Sequence, residues 1–234
     1  MVKEKLSRKE LLKDPDKMIS TTALVVKFIK QETRLVSVCV IGIVVIGLAL
    51  WALKTHNDRR ESQAQDLQSQ GYQLYRKALE QTDETTSKDL LEKAMDRFEE
   101  VIQKFEGTHA SQMAHMYRGH AAYALGRYAE AIEDYKAASS KMSSPEMRAL
   151  ALQGVAYSLM SKGDLEAAIE AFKKLEDLGG AGFRGTVQWN IARCYEQQGK
   201  VQDALEIYKD IMQTSRDHVR RTLAEAKVAE LAAK

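Results

Sequence analysis

Hydrophobic and polar positions divide the chain into two unlike parts. From Leu35 to Leu53 the sequence LVSVCVIGIVVIGLALWAL runs for 19 residues without a charge. At about 1.5 Å per residue, a helix of that length reaches roughly 28 Å, close to the hydrocarbon thickness of a bilayer. Twelve of the 19 are Leu, Ile or Val, each favouring insertion by about 0.3–0.6 kcal/mol. Trp51 falls near one end, where an indole suits the interface. A cleavable signal peptide has a shorter apolar core and a shorter basic region. Cys39 follows Val38 near the start of the run, which is the wrong place for a lipoprotein cysteine. The pattern predicts an uncleaved transmembrane helix.

Beyond Lys54 the pattern takes the helical period, and it repeats. The segments EKAMDRFEEVI, AEAIEDYKAAS, EAAIEAFKKLE and QDALEIYKDIM align. Each has Ala, then an aromatic four residues on, then a small or apolar residue three later. The sets are Ala94/Phe98/Val101, Ala131/Tyr135/Ala138, Ala168/Phe172/Leu175 and Ala204/Tyr208/Ile211. The anchor alanines stand 37, 37 and 36 residues apart, and Gly126, Gly163 and Gly199 precede the last three by five. A fixed period of this length marks a stack of repeated supersecondary units.

The units resemble the tetratricopeptide repeat, whose pattern W-x₂-L-G-x₂-Y, A-x₃-F and P is written on two antiparallel helices. In the last unit Ile191, Ala192, Tyr195, Gly199, Ala204 and Tyr208 fall in family positions. In the second, Gly119, Gly126, Tyr128, Ala131 and Tyr135 do so. Small residues are needed where the helices cross, and aromatics fill the gap between units. The resemblance covers residues 63–213. The family proline is absent, and the longer period implies longer turns. The first unit carries a polar insert, TDETTSKD, expected between its helices. In the third, the first helix registers on Gly154 or on Ala156. Ala156 is preferred, because Leu152, Val155, Ala156 and Leu159 then form one apolar stripe. SSPEM predicts the start of that helix, with Ser143 and Glu146 as a capping box and Pro145 near the first turn. Residues 214–234 read as a terminal capping helix, which such stacks require. No Gly or Pro occurs between Leu48 and Gln70, so the membrane helix is expected to continue unbroken into the first repeat helix.

Charge sets the direction of the span. Residues 1–34 hold nine Lys or Arg and five acids, against a net charge of +2 for the whole chain. The basic excess therefore belongs to the tail. Only Lys54, Arg59 and Arg60 follow the span closely. The positive-inside rule keeps the N-terminus cytoplasmic and exports residues 54–234. In the tail, Asp14 and Pro15 can start a helix, and apolar positions from Met18 to Ile29 are interrupted by Lys17, Lys27 and Lys30. That stretch suits an amphipathic helix on anionic lipid, or equally a cytosolic extension of the spanning helix. A nucleic-acid partner gains no support from a near-neutral charge.

Candidate chemistry is sparse. Two cysteines, Cys39 and Cys194, make neither a disulfide framework nor a C-x-x-C pair. Histidines 56, 109, 115, 120 and 218 have no metal-ligand spacing. There is no Walker A and no G-x-S-x-G. GGAGFRG, residues 179–185, contains a literal G-x-G-x-x-G, but an amphipathic helix precedes it instead of the strand a dinucleotide site needs. It reads as a long turn between the third and fourth units. Gly179 or Gly180 would end one helix and Thr186 would begin the next. The sequence predicts no enzyme, no cofactor, no metal and no small-molecule substrate.

Stacks of this kind offer a concave surface lined by the first helix of each pair. The residues expected there are Tyr72, Tyr75 and Arg76; Met116, His120 and Tyr123; Gln153, Tyr157 and Met160; Trp189 and Arg193. Tyr, Met and Trp supply large, adaptable contact area, which suits unfolded or extended polypeptide. Several of these side chains equally suit packing between neighbouring units.

The predicted fold is all-α. A transmembrane helix precedes a right-handed tetratricopeptide-like solenoid of about four helix pairs and a capping helix. The expected divisions are a basic cytoplasmic tail (1–34), the span (35–53), a helical connector (54–62), repeats (63–213) and the cap (214–234). This architecture resembles the ancillary subunit family of the bacterial Sec translocon. The resemblance implies a single-pass inner-membrane protein with a periplasmic repeat domain. It also implies protein partners: the translocon, periplasmic chaperones and exported polypeptides. The implied function is a scaffold or holdase for exported chains. The alternative is a tethered adaptor of another envelope complex, in outer-membrane assembly, division or secretion.

Overall fold

A computed structural model of the chain describes residues 23, 26–31, 33–179 and 181–233. The helix start expected at Asp14 and Pro15 lies outside them, as does most of the basic tail. Among the described residues there are no strands. In order, the helices are α1 (Thr33–Glu80), α2 (Glu84–Lys104), α3 (His109–Ala124), α4 (Tyr128–Lys141), α5 (Pro145–Lys162), α6 (Leu165–Gly179), α7 (Ala181–Gln197), α8 (Val201–Thr214) and α9 (His218–Ala232). The chain divides into two compact units, Met1–Asp58 and Arg59–Lys234.

In the first unit, α1 is the one helix among the described residues long and apolar enough, by length and composition, to cross a membrane. Its large apolar side chains from Val38 to Leu53 are exposed, Val38 at 69% and Trp51 at 67%. The Ser37 hydroxyl donates to the Thr33 carbonyl at 2.7 Å. That bond meets the need of a polar group in an apolar run within the helix itself. The helix continues without a break to Glu80, as the absence of Gly and Pro led one to expect.

In the second unit, α2 to α9 each pack chiefly on the helix next in sequence, and α3 also touches α5. Short turns join them, which makes consecutive helices antiparallel neighbours. Gly126, Gly163 and Gly199 hold the turns inside three pairs at φ 74°, 90° and 73°. Side chains rarely adopt that left-handed region, which explains glycine at these places. Asp83 caps α2, accepting from the Thr86 amide at 2.7 Å. The start of α3 has two caps. Thr108 accepts from the Ser111 amide at 3.1 Å. The Glu61 carboxylate of α1 accepts from the amides of His109 and Ala110 at 2.8 and 3.0 Å. A negative charge there also complements the positive end of the helix dipole.

The repeat anchors form the core. Ala94, Ala131, Ala168 and Ala204 are fully buried, and so are Phe98, Phe172 and Tyr208. Tyr135 is buried as well. Burying each such ring is worth roughly 2–3 kcal/mol relative to leaving it in water. The crossing needs small residues: a Cβ on Gly71 would lie 2.8 Å from Phe98, and one on Gly119 2.9 Å from Tyr135. In the third unit both candidate register residues have a role. Ala156 is fully buried in the core cluster that contains Phe172. Gly154 instead makes room for Tyr135 of the preceding pair, whose ring carbons would lie 2.7 Å from an added Cβ.

Three expectations at the turns need correction. Most of TDETTSKD is not a loop. Helix α2 begins at Glu84, so the insert forms its first turns and lengthens it to 21 residues. The cap of α5 is Ser144, not Ser143; its side chain accepts from the Met147 amide, and Pro145 opens the helix. The glycine string is not a long turn. Helix α6 runs through Gly179 and α7 begins at Ala181, so Thr186 lies inside α7. Gly180 is outside the described residues. Phe183 packs against the core, which gives the early start of α7 an apolar anchor.

Candidate partner-binding groove

Alternate helices α1, α3, α5 and α7 carry the side chains expected to line a groove. The repeat spacing puts Met116, Gln153 and Trp189 at equivalent positions. His120, Tyr157 and Arg193 form a second such row. The structure brings five of the expected residues together in one cavity of about 460 Å³ between α3 and α5. They are Met116, His120, Tyr123, Gln153 and Tyr157, joined by Tyr135, Leu150 and Gly154. A second cavity, of about 330 Å³, is lined by α5, α7 and α9. It takes Tyr157, Trp189 and Arg193 from the expected set and adds Thr186, Asn190, Asp217, Val219, Arg220 and Leu223. Tyr157 is the wall common to both.

The remaining expected residues lie elsewhere on the same helices. Tyr72 is exposed, with its ring 5.1 Å from that of Tyr117. Tyr75 stacks over His120 at 6.4 Å. Arg76 is exposed and pairs with Glu80 at 3.7 Å. Met160 lies within the core and lines neither cavity; Met116 is also a core residue, and forms part of the first cavity's wall.

Cross-helix contacts fix the polar groups. His120 Nδ1 and the Tyr135 hydroxyl share a hydrogen bond of 2.6 Å, and the two rings meet edge to face at 5.3 Å. The Tyr123 hydroxyl and Ser161 Oγ lie 2.8 Å apart, linking α3 to α5. Asn190 donates from Nδ2 to the Tyr157 hydroxyl at 3.1 Å and to the Thr186 carbonyl at 2.8 Å, linking α7 to α5. Burial pushes the His120 imidazole below its ordinary value. Burial, with neighbouring tyrosines, pushes the Tyr135 phenol well above its own. Both are neutral at pH 7, and the first cavity is lined by no formal charge.

The second cavity differs. Arg193 donates to Asn190 Oδ1 at 3.4 Å and forms no ion pair among the described residues. Arg220 lies 3.9 Å from Asp217. The Asp217 carboxylate is also engaged by the Val219 and Arg220 amides, at 3.0 and 3.3 Å, as the cap of α9. Two guanidinium groups thus face one carboxylate that already serves a helix end.

Sequence reasoning missed the contribution of α9. The signal was present: one further step of the period from α7 lands on α9, which takes the place of a first helix. Val219 and Leu223 are exposed at 68% and 50% at the cavity wall.

Cys194 is fully buried, and its thiol is pushed up to about 11 by desolvation. Among the described residues no group of three or more His, Cys, Asp or Glu could hold a metal. Another cavity of about 500 Å³, between α2, α3 and α4, is lined by acids and two arginines. Its charges are largely paired with each other: Arg118 with Glu99, Arg127 with Glu92, and Arg118 with buried Asp134 at 2.6 Å.

A stack of helix pairs with a surface lined by one helix of each pair defines a repeat scaffold, a class that acts by binding other proteins. The family model of the tetratricopeptide repeat-like domain matches residues 28–233, and the chain belongs to that family. No curated protein sequence matches the chain. Among solved structures, the nearly identical TPR-like repeats of a Podosopora anserina protein superpose with a TM-score of 0.56 at 16% identity, covering 74% of this chain and 87% of that one. A tetratricopeptide repeat protein from Parabacteroides merdae gives 0.51 at 17% identity, covering 69% of this chain and 61% of that one. At such identities the likeness shows the fold.

Proposed function

We propose that this protein is a membrane-anchored scaffold or holdase. Its repeat domain binds extended polypeptide, in the periplasm, as chains leave the Sec translocon. One observation carries the binding role. The layer of first helices leaves large apolar side chains in water, with Tyr72 at 41%, Leu150 at 44%, Val219 at 68% and Leu223 at 50% exposure. Leu150, Val219 and Leu223 line the two cavities. Exposed apolar surface gathered beside concave sites is a mark of interaction surfaces.

The anchor rests on the uncharged run from Leu35 to Leu53 and on the exposure of its large apolar side chains from Val38 to Leu53. Its direction rests on the basic tail. The translocon as partner rests on the architecture: a short basic tail, one span and a stack of repeats. Purification of the full chain from membranes, followed by mass spectrometry, tests this reading. Translocon subunits and exported chains should co-purify. A single stoichiometric partner from another envelope machine, with no exported chains, would instead establish an adaptor.

A further inference from the structure

The two cavities sit at equivalent places one repeat apart, yet their chemistry differs. Along the row His120, Tyr157 and Arg193, the side chain changes from neutral imidazole to phenol to guanidinium. The first cavity is lined by aromatic, aliphatic and amide groups without formal charge. The second holds Arg193 and Arg220 against Asp217 alone. Arg220 is partly held by Asp217. Arg193 is half-buried, has an amide oxygen as its one hydrogen-bond partner among the described residues, and stands beside the shared wall Tyr157. A groove built this way has a direction.

Resting on the reading of this face as a polypeptide groove, we propose that it selects segments in which an apolar side chain is followed by an acidic one. The apolar group seats in the α3/α5 cavity, and the carboxylate meets Arg193 beside α9. Charge complementarity argues for the acid. A carboxylate would give the half-buried Arg193 a charged acceptor for two parallel N–H bonds, which a backbone carbonyl cannot, and a basic residue there would meet like charge. Neighbouring first helices lie about 10 Å apart and Arg193 is on the helix beyond the α3/α5 cavity; an extended chain rises about 3.3 Å per residue, so the two side chains stand about four residues apart. Arg193 is then the residue that sets specificity, while the uncharged cavity supplies affinity common to many segments.

The test uses the full chain in detergent micelles and short fluorescein-labelled peptides read by anisotropy. Each peptide carries Phe and, about four residues away, Glu, Gln or Lys, made in both chain orders. The expected result is binding roughly fivefold tighter for Glu than for Lys, in one chain order only. Arg193→Gln should abolish that preference, and Arg193→Lys should retain it. Far-UV circular dichroism and an unchanged denaturant midpoint report that each variant is folded. Equal binding of Glu and Lys peptides in both orders would overturn the directional groove and leave the polypeptide groove standing. Failure of every peptide to bind would overturn both.

Discussion

The ring of Tyr135 occupies the space that a side chain at position 154 would need: a Cβ on Gly154 would stand 2.7 Å from two of its ring carbons. Gly119 approaches the same ring from α3, where an added Cβ would lie 2.9 Å away. Tyr135 is therefore held between glycines of two successive first helices, and its hydroxyl reaches His120 in the cavity wall. The packing that spaces the repeats is also the packing that shapes the groove.

Gly154→Val should cost about 2–3 kcal/mol of stability through overpacking, read from urea unfolding. Tyr135→Leu in the same chain should recover part of that loss, because the two changes share one contact. Unchanged stability in the single variant would contradict the packing of Tyr135 against α5.

The buried pair between α3 and α4 should behave differently. Arg118 donates from Nε to both carboxylate oxygens of Asp134, at 2.9 and 2.8 Å, and Asp134 is only 2% exposed. Arg118→Met leaves that carboxylate buried beside His115, at a cost of about 3 kcal/mol. Arg118→Met with Asp134→Leu should restore most of the loss, since no charge is then stranded. Denaturant midpoints of the three variants decide it.

His120 gives a pH dependence with a definite sign. Burial holds its folded-state value below the ordinary one. The unfolded chain therefore takes up a proton first, near pH 6.5, which favours unfolding. Stability contributed through neutral His120 is complete above about pH 6.5. It falls on acidification until the folded imidazole also titrates. His120→Gln should reduce the loss of denaturant midpoint between about pH 7.5 and pH 5.5. An identical loss in both proteins would contradict the effect of burial at this site.

Much of this was legible because it is local and periodic. The alanine and aromatic anchors recur at a fixed spacing, and every anchor is buried. The apolar run announces itself by length. The turns were harder, because their outcome depends on partners distant in sequence. The helix α7 begins early because Phe183 finds the core. Gly185 in that first stretch also leaves room for a side chain from α9, as a Cβ there would collide with Arg220 Nη1. Read locally, the same glycines look like a loop. Glu61 capping α3 from 48 residues away has no local signature either. Five of the residues that line the α3/α5 cavity were legible as first-helix positions. The burial of Met160 and the entry of α9 follow from how those helices pack.

The central claim is that the face of first helices receives extended polypeptide. Its most direct test is a photoreactive amino acid placed at Tyr157, the wall shared by both cavities. The control position is Lys173, exposed on the second helix α6. The full chain is expressed in cells and irradiated during active export. Tyr157 should capture chains in transit and Lys173 should not. Equal capture at the two positions, or none from Tyr157, would contradict the account.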